Sequence, residues 1–231
     1  MSYYNGPKIV TDNLILCLDA GNTKSYPGTG TAWTDLSNNG NTGTLINSPA
    51  FNNANGGSIV FDGTDDLVQL PATNFSITTA FTIEVVCKPT SAPSTGMFNL
   101  KGSGYDRGIM CHWPWSDGNC YFDIYSTGGN FYRWYKAMSI TNIIAMYHFY
   151  VDSTGTQYVR QNGNLLTPTG VTGSASPFNI NLGESNVIGA FYYNGGLQWP
   201  GNMYSFKIYN RTLTQTEMLQ NFNATKGRFN L

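Results

Sequence analysis

Gly57-Ser-Ile-Val-Phe-Asp-Gly-Thr-Asp-Asp-Leu-Val-Gln-Leu70 reads as strand, tight turn, strand. Ile59 and Phe61 alternate with Ser58 and Val60, Asp62-Gly63 supplies the turn, and Leu67, Val68 and Leu70 resume the apolar run. A second such stretch lies near the C-terminus: Trp199-Pro-Gly-Asn-Met-Tyr-Ser-Phe-Lys-Ile-Tyr-Asn-Arg-Thr-Leu-Thr-Gln-Thr-Glu217. Tyr204, Phe206 and Ile208 share one face there, and Met203, Ser205 and Lys207 the other, which predicts a half-buried strand.

Strand patterns recur over 13–19, 57–62, 66–70, 81–88, 96–101, 107–112, 120–126, 130–136, 145–152, 156–161, 164–167, 186–191 and 201–209. In 145–152, Tyr147, Phe149 and Val151 alternate with His148 and Tyr150. Asn162-Gly163 suits the two positive-φ positions of a type I′ hairpin turn. One helix is predicted after Thr214. Thr214 and Glu217 form a capping box, Met218, Leu219 and Phe222 an apolar stripe, and Lys226-Gly227 the stop. The segment 20–56 reads as a long ordered loop carrying short strands around Thr44-Leu-Ile46. Neither linker nor repeat divides the chain, so residues 1–231 are read as one domain with an N-terminal arm over 1–12.

Composition agrees with an all-β chain. Only 11% of residues are charged, against roughly 25% in average soluble domains. The polar surface comes instead from 26 Asn, 25 Thr and 26 Gly, residues that favour turns and strands over helices. A net charge of −1 gives no electrostatic case for binding nucleic acid. No apolar run approaches the ~18 residues of a membrane span, so no membrane insertion is expected. The N-terminus lacks the basic and apolar regions of a signal peptide, which predicts a trimmed precursor or synthesis without classical secretion. Cys17 and Cys87 sit in apolar strand patterns and read as small hydrophobes. Cys111 and Cys120 flank a Gly-containing loop, leaving open a disulfide across a hairpin, although synthesis without a signal peptide favours free thiols.

The Gly57–Leu70 and Trp199–Glu217 stretches, in this order, resemble the concanavalin A-like jelly rolls of the laminin-G-like family. Phe81-Thr-Ile-Glu-Val-Val-Cys-Lys-Pro89 resembles the family's third conserved strand, with Val86 or Cys87 where a Trp is usual. Phe98-Asn-Leu-Lys-Gly102 resembles the strand that follows. The run from Tyr147 to Gly163 resembles the family's pair of back strands. The resemblance implies a two-sheet antiparallel jelly-roll sandwich with one short C-terminal helix. The opening Tyr4-Asn-Gly-Pro-Lys-Ile-Val-Thr-Asp12, with Leu16-Cys-Leu-Asp-Ala-Gly-Asn22 and Ser25 through Ser37, is similar to small laminin-G-like proteins of tailed bacteriophages. Such proteins are found as virion components.

Glycosidases on this fold set an acid and a nucleophile on one strand in a Glu-x-Asp-x-x-Glu pattern, which holds two carboxyls at a reactive separation. The chain has three glutamates, Glu84, Glu184 and Glu217, and none has such a partner. No enzyme activity is therefore expected. Some family members bind calcium, and Asp62, Asp65 and Asp66 offer oxygen ligands. The competing reading is that Asp62 and Asp65 build the turn. No cofactor is expected. Cys111, His112, Cys120 and His148 lack the spacing of common zinc sites.

Ten aromatics fall between Tyr105 and Tyr135. His112-Trp-Pro-Trp-Ser-Asp-Gly118 is a loop by composition, so its indoles are free to project. Exposed Trp and Tyr present flat apolar faces with a polar edge, suited to sugar rings or to a protein interface. Tyr105, Trp113, Trp115, Tyr132 and Trp134 are the candidate binding residues; the alternative is that the strand aromatics are ordinary core. The expected function is a non-enzymatic surface protein of a phage virion, made in the host cytoplasm and docked on other virion proteins. The alternative is a module or adhesin, extracellular or at a cell surface, that recognises glycans. Trp113 and Trp115 buried against a neighbouring subunit would favour the first, and an open groove lined by them the second.

Overall fold

The computed structural model describes residues 7–71, 75–77, 80–101, 108–125, 131–173, 180–182, 186–191 and 196–231. Residues 1–6 of the predicted arm, Tyr105 and Glu184 lie outside the described residues.

Two antiparallel sheets stack as a sandwich. The first holds, in order, Asn164–Leu165, Gln157–Gln161, Ala145–Val151, Phe81–Pro89, Pro200–Tyr209, Ser58–Asp62 and Ala50–Asn52, with Leu14–Asp19 also paired to Pro200–Tyr209. The second runs Gly170–Thr172, Phe131–Ala137, Asn119–Tyr125, Gly108–His112, Phe98–Lys101, Val187–Ile188, Leu67–Gln69, Gly43–Ile46, Ala32–Trp33. Phe75–Ile77 pairs with Ile180–Leu182 apart from both. Strands stand where the alternation predicted them. Ala32–Trp33, Ala50–Asn52, Phe75–Ile77, Gly170–Thr172 and Ile180–Leu182 were not foreseen, being too short to display a period of two.

The inward faces of both sheets interlock in one apolar core. Phe98 meets Phe149 and Phe206 edge-on, with ring centroids 5.8 and 5.4 Å apart. All four cysteines are free and buried, so a Cys111–Cys120 disulfide is not formed. Burial pushes the Cys17 thiol up to about 11. The Asn162-Gly163 turn has the predicted positive φ at both residues, 50° and 82°.

Trp113 departs from its reading as a projecting loop residue. Ile109 and Cys111 point inward, and the alternation carries on one step past the strand, so Trp113 points inward too. It is fully buried, stacked on Trp134 at 6.1 Å and edge-on to Tyr147 and Phe149. Its carbonyl accepts from Trp199 Nε1 at 2.6 Å. Pro114 and Gly118 mark a loop, but that loop begins only after the indole has entered the core.

The strand Pro200–Tyr209 is buried throughout rather than on one face. Met203 pairs with Cys87 and Ser205 with Val86, so Tyr204 is the extra residue of a β-bulge. The bulge removes Tyr204 from the face of Phe206 and Ile208 and sets its ring 5.0 Å from Phe229 of the helix. The helix Gln215–Phe229 lies over this outer face and covers it. Thr214 and Glu217 form the predicted capping box. Bidentate hydrogen bonds from Arg211 hold the Glu217 carboxyl down at about 2. The helix continues through Gly227 and stops at Asn230, in the left-handed region (φ 55°, ψ 42°). Burial of Phe229 and the reach of Arg228 to Asp19 Oδ1 at 2.6 Å carry it past the expected stop.

Beneath the helix lies a buried charge. Glu84 accepts from Lys207 Nζ at 2.6 Å, from His148 Nε2 at 3.1 Å and from Asn221 Nδ2 at 2.7 Å. Burial opposes ionisation of Glu84, but attraction to Lys207 and the hydrogen bond from His148 outweigh it and hold the carboxyl well below the usual range. Asn221 Oδ1 also accepts from Val10 N at 2.8 Å, and Tyr209 Oη donates to Val10 O at 3.0 Å. One polar knot thus joins three strands, the helix and the segment before Leu14.

Three expectations follow. Lys207→Met leaves the Glu84 charge in the interior without its ammonium partner and should cost about 3–5 kcal/mol in denaturant unfolding. Because the folded pKa of Glu84 is depressed, its contribution is complete above about pH 4.5, the ordinary value, and fades as pH falls below it. The stability gap between the wild type and Glu84→Gln should therefore narrow below that pH; a constant gap would contradict the assignment. For Trp113→Ala, loss of a filled core volume should cost about 3–5 kcal/mol, against little for Trp115→Ala. A Trp113→Ala variant that melts like wild type would return that indole to the surface.

Candidate functional site

The strands Gly108–His112, Asn119–Tyr125 and Phe131–Ala137 lie side by side in the second sheet. Ile109, Cys111, Phe122, Ile124, Tyr132 and Trp134 fill the core from their inner face. The pleat therefore turns Met110, His112, Tyr121, Asp123, Tyr125 and Arg133 to the outer face. These six, with Trp115, Phe191 and Leu197 from adjoining loops, line a cleft of about 270 Å³.

Register places the chemistry. Asp123 sits directly opposite Arg133, Tyr121 opposite Tyr135, and His112 opposite Tyr121. Arg133 Nε donates to Asp123 Oδ1 at 2.8 Å and Nη2 to Oδ2 at 2.6 Å, a bidentate pair. The Asp123 side chain is fully covered, whereas that of Arg133 is 31% exposed. These hydrogen bonds push the Arg133 pKa further up. The guanidinium also lies over the Tyr121 ring, 4.3 Å from its centroid.

His112 is held between Phe191 and Trp115. Its Nδ1 lies 2.9 Å from the Thr95 carbonyl, which can only accept, so Nδ1 carries a proton. Nε2 lies 3.9 Å from Asp123 Oδ2. The imidazole stacks on Phe191 at 5.3 Å and meets Trp115 edge-on at 4.6 Å. Trp115 is presented by a tight turn: its N–H donates to Asn119 O, and its carbonyl accepts from Gly118 N, where φ is 83°. Asp117 accepts from Asn119 N and from the Tyr121 hydroxyl, bracing that turn against the sheet. Burial and the Asp117 carboxylate raise the Tyr121 pKa.

Of the described candidates read from the sequence, Trp115 alone lines the cleft. Trp113, Tyr132 and Trp134 are buried on the inner face, and Tyr105 lies outside the described residues. Dense aromatic composition marked the right segment but not the right side of the sheet. The polar members, His112, Asp123 and Arg133, were missed. The available signal was the alternation itself, with Tyr121, Asp123 and Tyr125 interleaved between Cys120, Phe122 and Ile124.

Asp62, Asp65 and Asp66 each bring a carboxylate oxygen within 4.8 Å of the others. The hydrogen bonds of Asp62 and Asp66 belong to the turn: Asp62 Oδ1 accepts from Thr64 N at 2.7 Å and Asp66 Oδ2 from Asp62 N at 3.1 Å. The Thr64 amide lowers the Asp62 pKa, and burial raises that of Asp66. No described helix is long and apolar enough to cross a membrane.

A comparison with curated proteins returns no match. Among solved structures, the binding domain of Paraclostridial Mosquitocidal Protein 1 is similar at a TM-score of 0.70 and 16% identity, over 92% of this chain and 52% of that one. The binding domain of botulinum neurotoxin serotype D gives 0.71 and 14%, over the same shares. The binding domain of botulinum neurotoxin DC in complex with SialylT gives 0.69 and 13%, over 93% of this chain and 52% of that one. The chain thus spans about half the length of these neighbours, and at such identities they speak for the fold alone. The family model described as the concanavalin A-like lectin/glucanases superfamily matches residues 62–218, well over half of the chain. With the two antiparallel sheets and the C-terminal helix, that match makes this chain a member of the concanavalin A-like lectin/glucanases superfamily.

Proposed function

We propose that the chain is a non-catalytic glycan-binding domain that takes a sugar in the cleft on the outer face of the second sheet. The observation that carries this reading is the pairing, in a space of about 270 Å³, of the Trp115 and Tyr121 planes with a fixed Asp123–Arg133 pair. Aromatic planes bind the apolar face of a sugar ring, and a guanidinium donates to its oxygens. The binding roles named for similar structures, one in complex with SialylT and another with rat synaptotagmin II, are consistent with a recognition module.

Carboxyl placement speaks against catalysis. Retaining glycosidases hold two carboxyls about 5–5.5 Å apart across the scissile bond. Among the described lining residues Asp123 is the only carboxylate, and both its oxygens are engaged by Arg133. Glu84 belongs to the other sheet, under the helix.

We propose further that this module is displayed on the surface of a tailed-phage particle, where it docks on other virion proteins. Support comes from the likeness of the opening, Tyr4 to Asp12 and Leu16 to Ser37, to small phage-encoded relatives. Mass spectrometry of gradient-purified particles from the source culture should recover the chain with the virion proteins. Recovery only from the soluble fraction would overturn the placement.

The glycan reading is tested on a glycan array, followed by calorimetry on the best binder. Trp115→Ala should weaken binding tenfold or more, the equivalent of about 1.4 kcal/mol, while the melting temperature stays near wild type. No reducing sugar should be released from the bound glycan. A protein that binds no glycan, or binds equally well without Trp115, would sink the reading.

A further inference from the structure

The charge in the cleft is unusually constrained. Among the described lining residues, the fixed charges are Asp123 and Arg133, of opposite sign. Arg133 is pinned from two directions, by the bidentate carboxylate and by the Tyr121 ring beneath it. Asp123 is fully covered, so a ligand meets the exposed part of the guanidinium and not the carboxylate. Among the described residues, the titratable groups that face this pair are His112, from the strand Gly108–His112, and Tyr121 and Tyr125, from the strand of Asp123. Asp117 bonds to the Tyr121 hydroxyl from the 115–118 turn. The described lining residues of the remaining loops, Phe191 and Leu197, carry no charge.

Such an arrangement discriminates by charge. An acidic sugar would bring a second carboxylate to a guanidinium already neutralised by the first, and two like charges around one cation in a partly dry site repel. A neutral sugar needs only N–H donors to its hydroxyl or ring oxygens, and the guanidinium offers these without net charge. We infer that Asp123 is a specificity-determining positioning residue, a buried counter-ion that fixes Arg133 as a charge-compensated donor and tunes the cleft to neutral sugars over acidic ones. This rests on the glycan-binding reading of the cleft.

The test uses the whole chain on an array that pairs each neutral terminal hexose with its sialylated and its uronic-acid counterpart. The wild type should favour the neutral member at least tenfold, with affinity nearly unchanged between 50 and 500 mM salt, about a threefold change in Debye length. Asp123→Asn preserves shape but removes the negative charge paired with Arg133. It should shift the neutral-to-acidic ratio at least tenfold toward acidic sugars and make binding salt-sensitive, which a merely structural role would not do. Asp123→Asn with Arg133→Met removes both charges; it should weaken neutral binding without any gain for acidic sugars. Near-ultraviolet circular dichroism checks that each variant folds. Should Asp123→Asn not fold, the wild-type ratio and its salt dependence decide. Wild-type preference for acidic sugars, lost on Trp115→Ala, would overturn the inference and keep the glycan reading. A folded Asp123→Asn with an unchanged ratio would likewise overturn it. Binding to no sugar of either class would instead remove the glycan reading, and this inference with it.

Discussion

Everything that gives the second sheet its two personalities depends on the register between Asn119–Tyr125 and Phe131–Ala137. Phe122 faces Trp134 and Asp123 faces Arg133 in adjacent rungs of one ladder. Side chains alternate with a period of two, so a slip of Asn119–Tyr125 by one residue would send Asp123 into the core, away from Arg133, and Phe122 to the surface. The apolar core opposes that slip strongly. Trp113 adds to the lock, since its indole fills the core next to Trp134 while its carbonyl ties down Trp199. The cleft is thus positioned by side chains that never touch it.

The first sheet solves a different problem. Its outer face carries Glu84, Lys207 and His148, groups that ordinarily remain in water, and the helix buries them all. Paired charges under a helix add little net stability compared with apolar packing. What they add here is definition. Asn221 can reach Glu84, Tyr209 and Val10 together in only one placement of the helix. Tyr204, extruded by the bulge, and Phe229 complete the seat with apolar contact.

Much of the fold was legible because its signals are local. Alternation marked the long strands, Asn162-Gly163 marked the hairpin, and Thr214 with Glu217 marked the start of the helix. Its end was not legible, since Phe229 and Arg228 act through partners far away in the chain. The Tyr204 bulge was hidden for a related reason: one inserted residue reverses the faces without altering composition. At the cleft, aromatic density located the segment, but Trp113 and Trp115 are two residues apart and end in opposite surroundings. Only the point at which the strand gives way to the turn separates them, and that point is set by Gly118 and by Asp117 accepting from the Asn119 amide.

The polar knot around Asn221 also gives the molecule a front and a back. The segment Lys8–Val10 and the helix Gln215–Phe229 are fastened together on the outside of the first sheet, through Gln220 to Lys8 and Asn221 to Val10. The cleft opens on the outside of the other sheet, with the whole thickness of the sandwich between. A support that grips the helix side would leave the aromatic mouth pointing away from it, so anchorage and recognition need not compete for the same surface.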